Sequence, residues 1–177
     1  MKMPLAILFF LIASPLFAQN TPAGSVATPP CGSSDVRFDV KTDGKKHPMA
    51  QPEPGKAMLY FIEDDTNYQS FPKPTTRFAI DNKWVGATHG NSYFYASIDP
   101  GEHHLCAEWQ SVALFDAGRK AAAAHLIAQA GSAYFFRMEN IWIRDSQISR
   151  NKLEPLDSDE AQLLMSKFAF STSHLKK

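Results

Sequence analysis

Apolar and polar positions alternate along most of this chain in short runs, with turn residues between them. Ala57 to Ile62 is a six-residue apolar run of strand length, as expected of a central strand covered on both faces. Thr76 to Ile80 alternates with Phe78 and Ile80 on one face, and Asp81-Asn82-Lys83 turns it into Trp84-Val85-Gly86. Asn82 tolerates the left-handed conformation that a tight hairpin needs. Ser92 to Ile98 alternates again, setting Phe94, Ala96 and Ile98 against Tyr93, Tyr95 and Ser97. Asp99-Pro100-Gly101-Glu102 then has Pro and Gly where a type II turn wants them, and His103 to Gln110 is the next strand. Val36 to Val40 makes a short first strand, Asp43 to Gly55 a Pro- and Gly-rich connecting loop, and Ala133 to Met138 a strong later strand.

Asp116 to Ala130 is ambiguous. Its four alanines, Ala121 to Ala124, and the following Gly131 suit a helix with a glycine stop. A hairpin through Ala130-Gly131-Ser132 into the next strand also accounts for it, and strand is the reading adopted. Near the end, Asp157 and Glu160 have capping-box spacing before Leu163, Leu164 and Met165, which predicts one short C-terminal helix. Turn signals at this spacing give an all-β fold, an antiparallel sandwich closed by that helix.

The N-terminus changes the picture from fold to address. Lys2, an apolar run from Leu5 to Ala13 and the small residue Ala18 have the layout of a secretory signal peptide, residues 1–18. The run is too short for a span of roughly 20 residues. Residues 19–34, rich in Pro, Ala, Thr and Gly, are expected to be a flexible leader, and 35–177 a single sandwich domain. Without Lys2 the chain carries 17 basic and 18 acidic side chains (18 − 1 against 18), with the signs interspersed. Nothing in that balance points to nucleic acid or to an anionic membrane surface. The expectation is a periplasmic or extracellular protein, soluble after cleavage and without a membrane span.

Two cysteines in an exported chain, Cys31 and Cys106, predict a disulfide. Cys31 as a lipidation site is disfavoured, because Thr28-Pro29-Pro30 separates it from the apolar core of the signal.

Ile80 to Gly86, Gly90-Asn91-Ser92-Tyr93-Phe94 and Asp99 to Cys106 resemble the core of the bacterial domain-of-unknown-function family 2846. Gly55-Lys56-Ala57 and Ala130 to Arg137 are also similar to that family's pattern, and the likeness covers roughly residues 31–138. The chain is similar too to the PEGA repeat, although the Pro-Glu-Gly-Ala motif itself is absent. The resemblance implies an immunoglobulin-like or PEGA-like β-sandwich in an envelope protein. It implies no enzymatic activity, no ligand and no site residues.

The chemical candidates are few. Neighbouring strand residues His103 and His104 point to opposite faces, whereas His104 and Cys106 share one. A metal there would need a third ligand such as His89, His47 or an acid, and would leave Cys31 unpaired, so no metal and no cofactor are expected. His125 reads as an ordinary structural histidine. Glu63-Asp64-Asp65 reads as a solvated strand end and Asp157 to Glu160 as a helix cap, neither with the loop of a calcium-binding hand. No nucleophile elbow, zincin motif or phosphate-binding loop occurs. The remaining lead is Tyr93 and Tyr95, which would form an outer-face surface for a glycan or an envelope protein unless the segment around Phe168 and Phe170 covers them. The function expected is a non-catalytic exported binding or envelope-structural module. The alternatives are an envelope-directed hydrolase or metal-dependent enzyme, with a pocket around His104, Glu108 or His89, and a subunit of a larger envelope assembly.

Overall fold

The computed structural model describes residues 31–69, 71–110, 121–143 and 148–177. The expected signal peptide and most of the expected leader therefore lie outside the described residues, as do residues 116–120 of the ambiguous stretch. The described chain runs β1 (Phe38–Asp43), β2 (Ala57–Asp64), β3 (Thr75–Ile80), β4 (Lys83–His89), β5 (Ser92–Ile98) and β6 (Gly101–Trp109). It continues with β7 (Ala121–Ala128), β8 (Ala133–Ile143), β9 (Ile148–Pro155), α1 (Ser158–Met165) and β10 (Ala169–Leu175). Six strands in the order β1-β10-β5-β2-β8-β9 form one sheet, and four in the order β4-β3-β6-β7 form the other. This is an all-β sandwich, mostly antiparallel, with one short helix. Two pairings are parallel, β2 with β8 and a two-residue contact of β10 with β5.

The alternation seen in the sequence sorts the side chains as expected. Phe61 of β2, Phe78 of β3 and Phe94 of β5 meet between the sheets, with ring centroids 4.7–5.6 Å apart. Leu105, Ala107, Trp109, Leu126 and Met138 complete that core. The β3–β4 hairpin turns through Asp81 and Asn82, both at positive φ (49° and 65°), the geometry of a tight hairpin turn. Gly86 lies so close to Phe94 that a Cβ there would sit 2.8 Å from the ring. Central β2 is buried along its whole length, as its unbroken apolar run requires.

The ambiguous alanine stretch is a strand over Ala121–Ala128. It pairs with β6 from Gly101↔Ala128 to Glu108↔Ala121, and Ala122, Ala124, Leu126 and Ala128 face the core. Pairing and burial on one face outweigh the helical preference of alanine, which is worth only tenths of a kcal/mol per residue.

A second apolar layer lies on the opposite face of the larger sheet. Met58, Tyr60, Ile62, Tyr93 and Phe135 are roofed there by Ala161 and Met165 of α1 and by Phe168. The Asp43–Gly55 loop does more than connect, because Pro48 and Ala50 carbonyls accept from the Tyr93 and Tyr60 hydroxyls at 3.2 and 2.8 Å. His47 Nδ1 is also bonded to the Met165 carbonyl at 2.8 Å. Asp157 caps α1 by accepting from the Asp159 N–H at 2.8 Å. The reciprocal half of the predicted capping box does not form, because Glu160 pairs with Arg137 at 2.9 Å instead.

Candidate functional site

The tyrosine surface is the first correction, and the alternative stated for it holds, with the segment around Phe168 and Phe170 as part of its cover. Tyr93 is fully buried and Tyr95 half-buried, and both rings pack on Phe170 at 5.5 and 5.6 Å. The face is the outer one, as alternation requires, but the C-terminal segment and the helix roof cover it. Burial holds the Tyr93 hydroxyl up at about 12, so it stays a neutral donor to the Pro48 carbonyl. Tyr93 is thus core, and the flat stacking surface expected of the pair is used up internally.

The N-terminal segment is the second correction. Residues 31–34, grouped with the leader on composition, are held against the outer face of the four-stranded sheet. Cys31 and Cys106 are joined by a disulfide with Cα atoms 5.3 Å apart. Trp84 Nε1 donates to the Ser33 carbonyl at 2.9 Å, and Arg77 Nη1 donates to the carbonyls of Ser34 and Val36. Arg77 has no solvent exposure; its guanidinium stacks 4.1 Å above the Trp84 ring and pairs with Glu108 at 2.9 Å. A buried arginine is tolerable only with such partners. The strap then reaches β1 through Gln110, which accepts from Phe38 N at 2.6 Å and donates to the Phe38 carbonyl at 2.8 Å.

Glu63-Asp64-Asp65 is the third correction, since this acidic run is buried rather than solvated. Glu63 and Asp65 are 0 % and 1 % exposed. The Asn140 amide nitrogen donates to both, at 2.8 Å to Glu63 Oε1 and 2.6 Å to Asp65 Oδ1. Thr76 Oγ1 also donates to Glu63 Oε1. Trp109 Nε1 donates to Asn140 Oδ1 at 2.9 Å, and the Asn151 amide lies 2.9 Å from the same oxygen. Backbone bonds fix the rim, with Asp65 N donating to Asn91 Oδ1 at 2.7 Å and Lys73 Nζ to the Asp65 carbonyl at 2.9 Å. Burial, reinforced by the neighbouring Asp65 charge, pushes the Glu63 carboxyl well above the ordinary range; burial pushes Asp65 up to about 7. Among the described residues Glu63 Oε2 and Asp65 Oδ2 meet no hydrogen-bond partner, the arrangement in which a carboxyl is better kept neutral. The cluster ties β2, β3 and β8 together through polar contacts inside the sandwich. A sequence signal existed in the position of Glu63 at the end of a fully apolar strand, but three acids in a row masked it.

The histidines separate. His103 sits between Asp81 Oδ2 at 2.7 Å and the Asp99 carbonyl at 2.8 Å. Its burial alone would lower its pKa, but the Asp81 carboxylate and the Asp99 carbonyl outweigh that and hold it above the ordinary value. His89 Nδ1 bonds Thr75 Oγ1 at 3.0 Å and Glu108 pairs with Arg77, while His104 borders a depression shared with His125 rather than with Glu108 or His89. His104 and Cys106 do share the outer face, with Cys106 committed to the disulfide. The partner that sequence reasoning missed is His125, which lies directly opposite His104 across β6 and β7 with ring centroids 5.7 Å apart. It was hidden by the helix-or-strand ambiguity, because only a paired strand places the two residues side by side.

The profile of the family described as "Protein of unknown function (DUF2846)" matches residues 53–149, which is 97 of the 177 residues. The chain belongs to the DUF2846 family. The match runs from the turn before β2 to the start of β9, so it takes in the acid cluster, both histidines of the β6–β7 pair and the Cys106 half of the disulfide. The strap with Cys31, β1, most of β9, the helix and β10 lie outside the matched DUF2846 region. No curated protein matches the chain. Among the described residues no helix is long and apolar enough to cross a membrane.

Proposed function

We propose that this DUF2846 protein is an exported, non-catalytic module of the cell envelope, binding an envelope protein or glycan or holding envelope structure. The observation that carries the reading is the disulfide-anchored strap. Cys31 stands only a short leader after the signal-like residues 1–18, and its bond to Cys106 fastens the start of the domain across the small sheet. Such a bond persists in compartments outside the cytoplasm.

The enzyme alternative draws support from the raised carboxyls of Glu63 and Asp65, since perturbed acids concentrate at active sites. Burial weighs against it, because neither side chain has surface for a substrate to touch. A structural role accounts for both carboxyls through the bonds to Asn140 and Thr76.

The test is expression of the full chain in a bacterial host, followed by osmotic shock, thiol labelling without reductant, and crosslinking in intact cells. An oxidised periplasmic protein with a discrete crosslinked adduct, or co-sedimentation with purified cell-wall glycan, is the expected result. A reduced protein retained in the cytoplasm would overturn the reading.

A further inference from the structure

The strap covers only part of the outer face of the four-stranded sheet. It lies over β3 and β4 and is pinned to β6 at Cys106, so among the described residues the strip formed by β6 and β7 beyond the disulfide is left uncovered by the strap. In that strip Glu102 and His104 follow one another on the outer face of β6, and His125 stands opposite His104 on β7. All three are exposed, and a depression of about 280 Å³ lies over the two rings, bordered by Asn82, Cys106 and Ala123.

We propose that His104 and His125 form a two-histidine site for a divalent late-transition-metal ion, with Glu102 as its orienting carboxylate. Three observations carry the site. First, an ion bound by both rings at about 2.0–2.1 Å per nitrogen puts the ring centres roughly 5–6.5 Å apart, and they stand 5.7 Å apart already. Second, Glu102 Oε1 lies 3.0 Å from His125 Nε2. A carboxylate on one ring nitrogen fixes the proton there and leaves Nδ1 with its lone pair free, the same arrangement by which metal-bound histidines are oriented and made more basic. Third, the platform is stiff, because β6 and β7 pair over eight residues and the disulfide sits two residues from His104 on the same face. Among the described residues no three metal-binding side chains converge on one point, so water completes the coordination shell. Imidazole pairs of this kind select zinc, nickel or copper over magnesium or calcium, which want oxygen. This site stands on the geometry of β6 and β7 and does not depend on which envelope partner the module serves.

The experiment is zinc titration of the mature oxidised protein, produced without a polyhistidine tag, by calorimetry and by long-range proton–nitrogen NMR of the imidazoles. Saturable one-to-one binding is expected, with His125 shifting at Nδ1. His104→Ala and His125→Ala should each weaken binding by about tenfold or more, and Glu102→Gln by about tenfold, the cost typical of an outer partner. His174→Ala should leave binding unchanged. Thermal melts of the variants should match the parent, since all three side chains are exposed. Absence of one-to-one binding, equal affinity in His125→Ala, or resonance shifts confined to other histidines would overturn the proposal.

Discussion

Replacing Asp65 by Asn tests whether the acid cluster inside the sandwich holds protons at neutral pH. Asp65 is raised from an ordinary 3.8 to about 7, first by burial. Between those values the folded protein binds more protons than the unfolded chain, so this contribution is fully present below the unfolded pKa and stability falls as pH rises towards 7. A difference of about three units corresponds to about 4 kcal/mol lost across that window. Glu63 is raised too, by burial and by the Asp65 charge, and carries the decline to higher pH. Asn keeps the acceptor that meets Asn140 and places an amide nitrogen where Oδ2 has no partner among the described residues, a roughly pH-independent offset of about 1–3 kcal/mol. The assay is urea unfolding of the disulfide-intact protein at several pH values from 4 to 8, followed by tryptophan fluorescence. Asp65→Asn should flatten the decline between pH 4 and 7 by several kcal/mol, whatever its absolute stability. Parallel profiles for variant and parent would refute the buried-proton account.

Three further outcomes follow from other parts of the fold. Asp81→Asn removes the carboxylate that holds His103 up, so an NMR titration should show the His103 pKa falling; in the parent, stability from this pair is present below the unfolded histidine pKa of about 6.5 and lost as pH rises through the folded value. Replacing both cysteines by Ser should cost up to about 4.5 kcal/mol by the chain-entropy relation for a separation of 75 residues, and should make Trp84 and Arg77 accessible as the strap loosens; denaturant unfolding and hydrogen exchange read the two effects. Gly86→Ala drives a Cβ to 2.8 Å from the Phe94 ring and should destabilise by about 1–3 kcal/mol, visible as a lowered thermal midpoint with little change in far-ultraviolet circular dichroism.

Much of the sandwich was legible because its strands obey period-two alternation with turn chemistry between them. β5 is read to the residue, and β2 to within two residues at one end. What escaped was set by long-range pairing. β9 and β10 are polar and irregular in sequence, and they are strands because β8 and β1 offer them partners over eight and six residues. The tyrosine face was assigned to the right side of the sheet, and the cover named as its alternative, the segment around Phe168 and Phe170, is part of what buries it; the docking of the helix and the Asp43–Gly55 loop was not legible. Glu63 and Asp65 read as solvent-facing because acids normally are; only the meeting of Asn140, Thr76 and Trp109 from three other strands gives them an interior place. The disulfide was legible from the cysteine count and the expected export, whereas the His104–His125 pairing needed the register of β7.

The central claim is an exported sandwich fastened by Cys31 and Cys106, and intact mass of the protein recovered from the periplasm tests it most directly. A mass beginning at Gln19, two hydrogens below the reduced value and unchanged by thiol alkylation until reductant is added, is the result predicted. A mass that retains Met1, carries a lipid adduct or takes up two alkyl groups without reduction would contradict it.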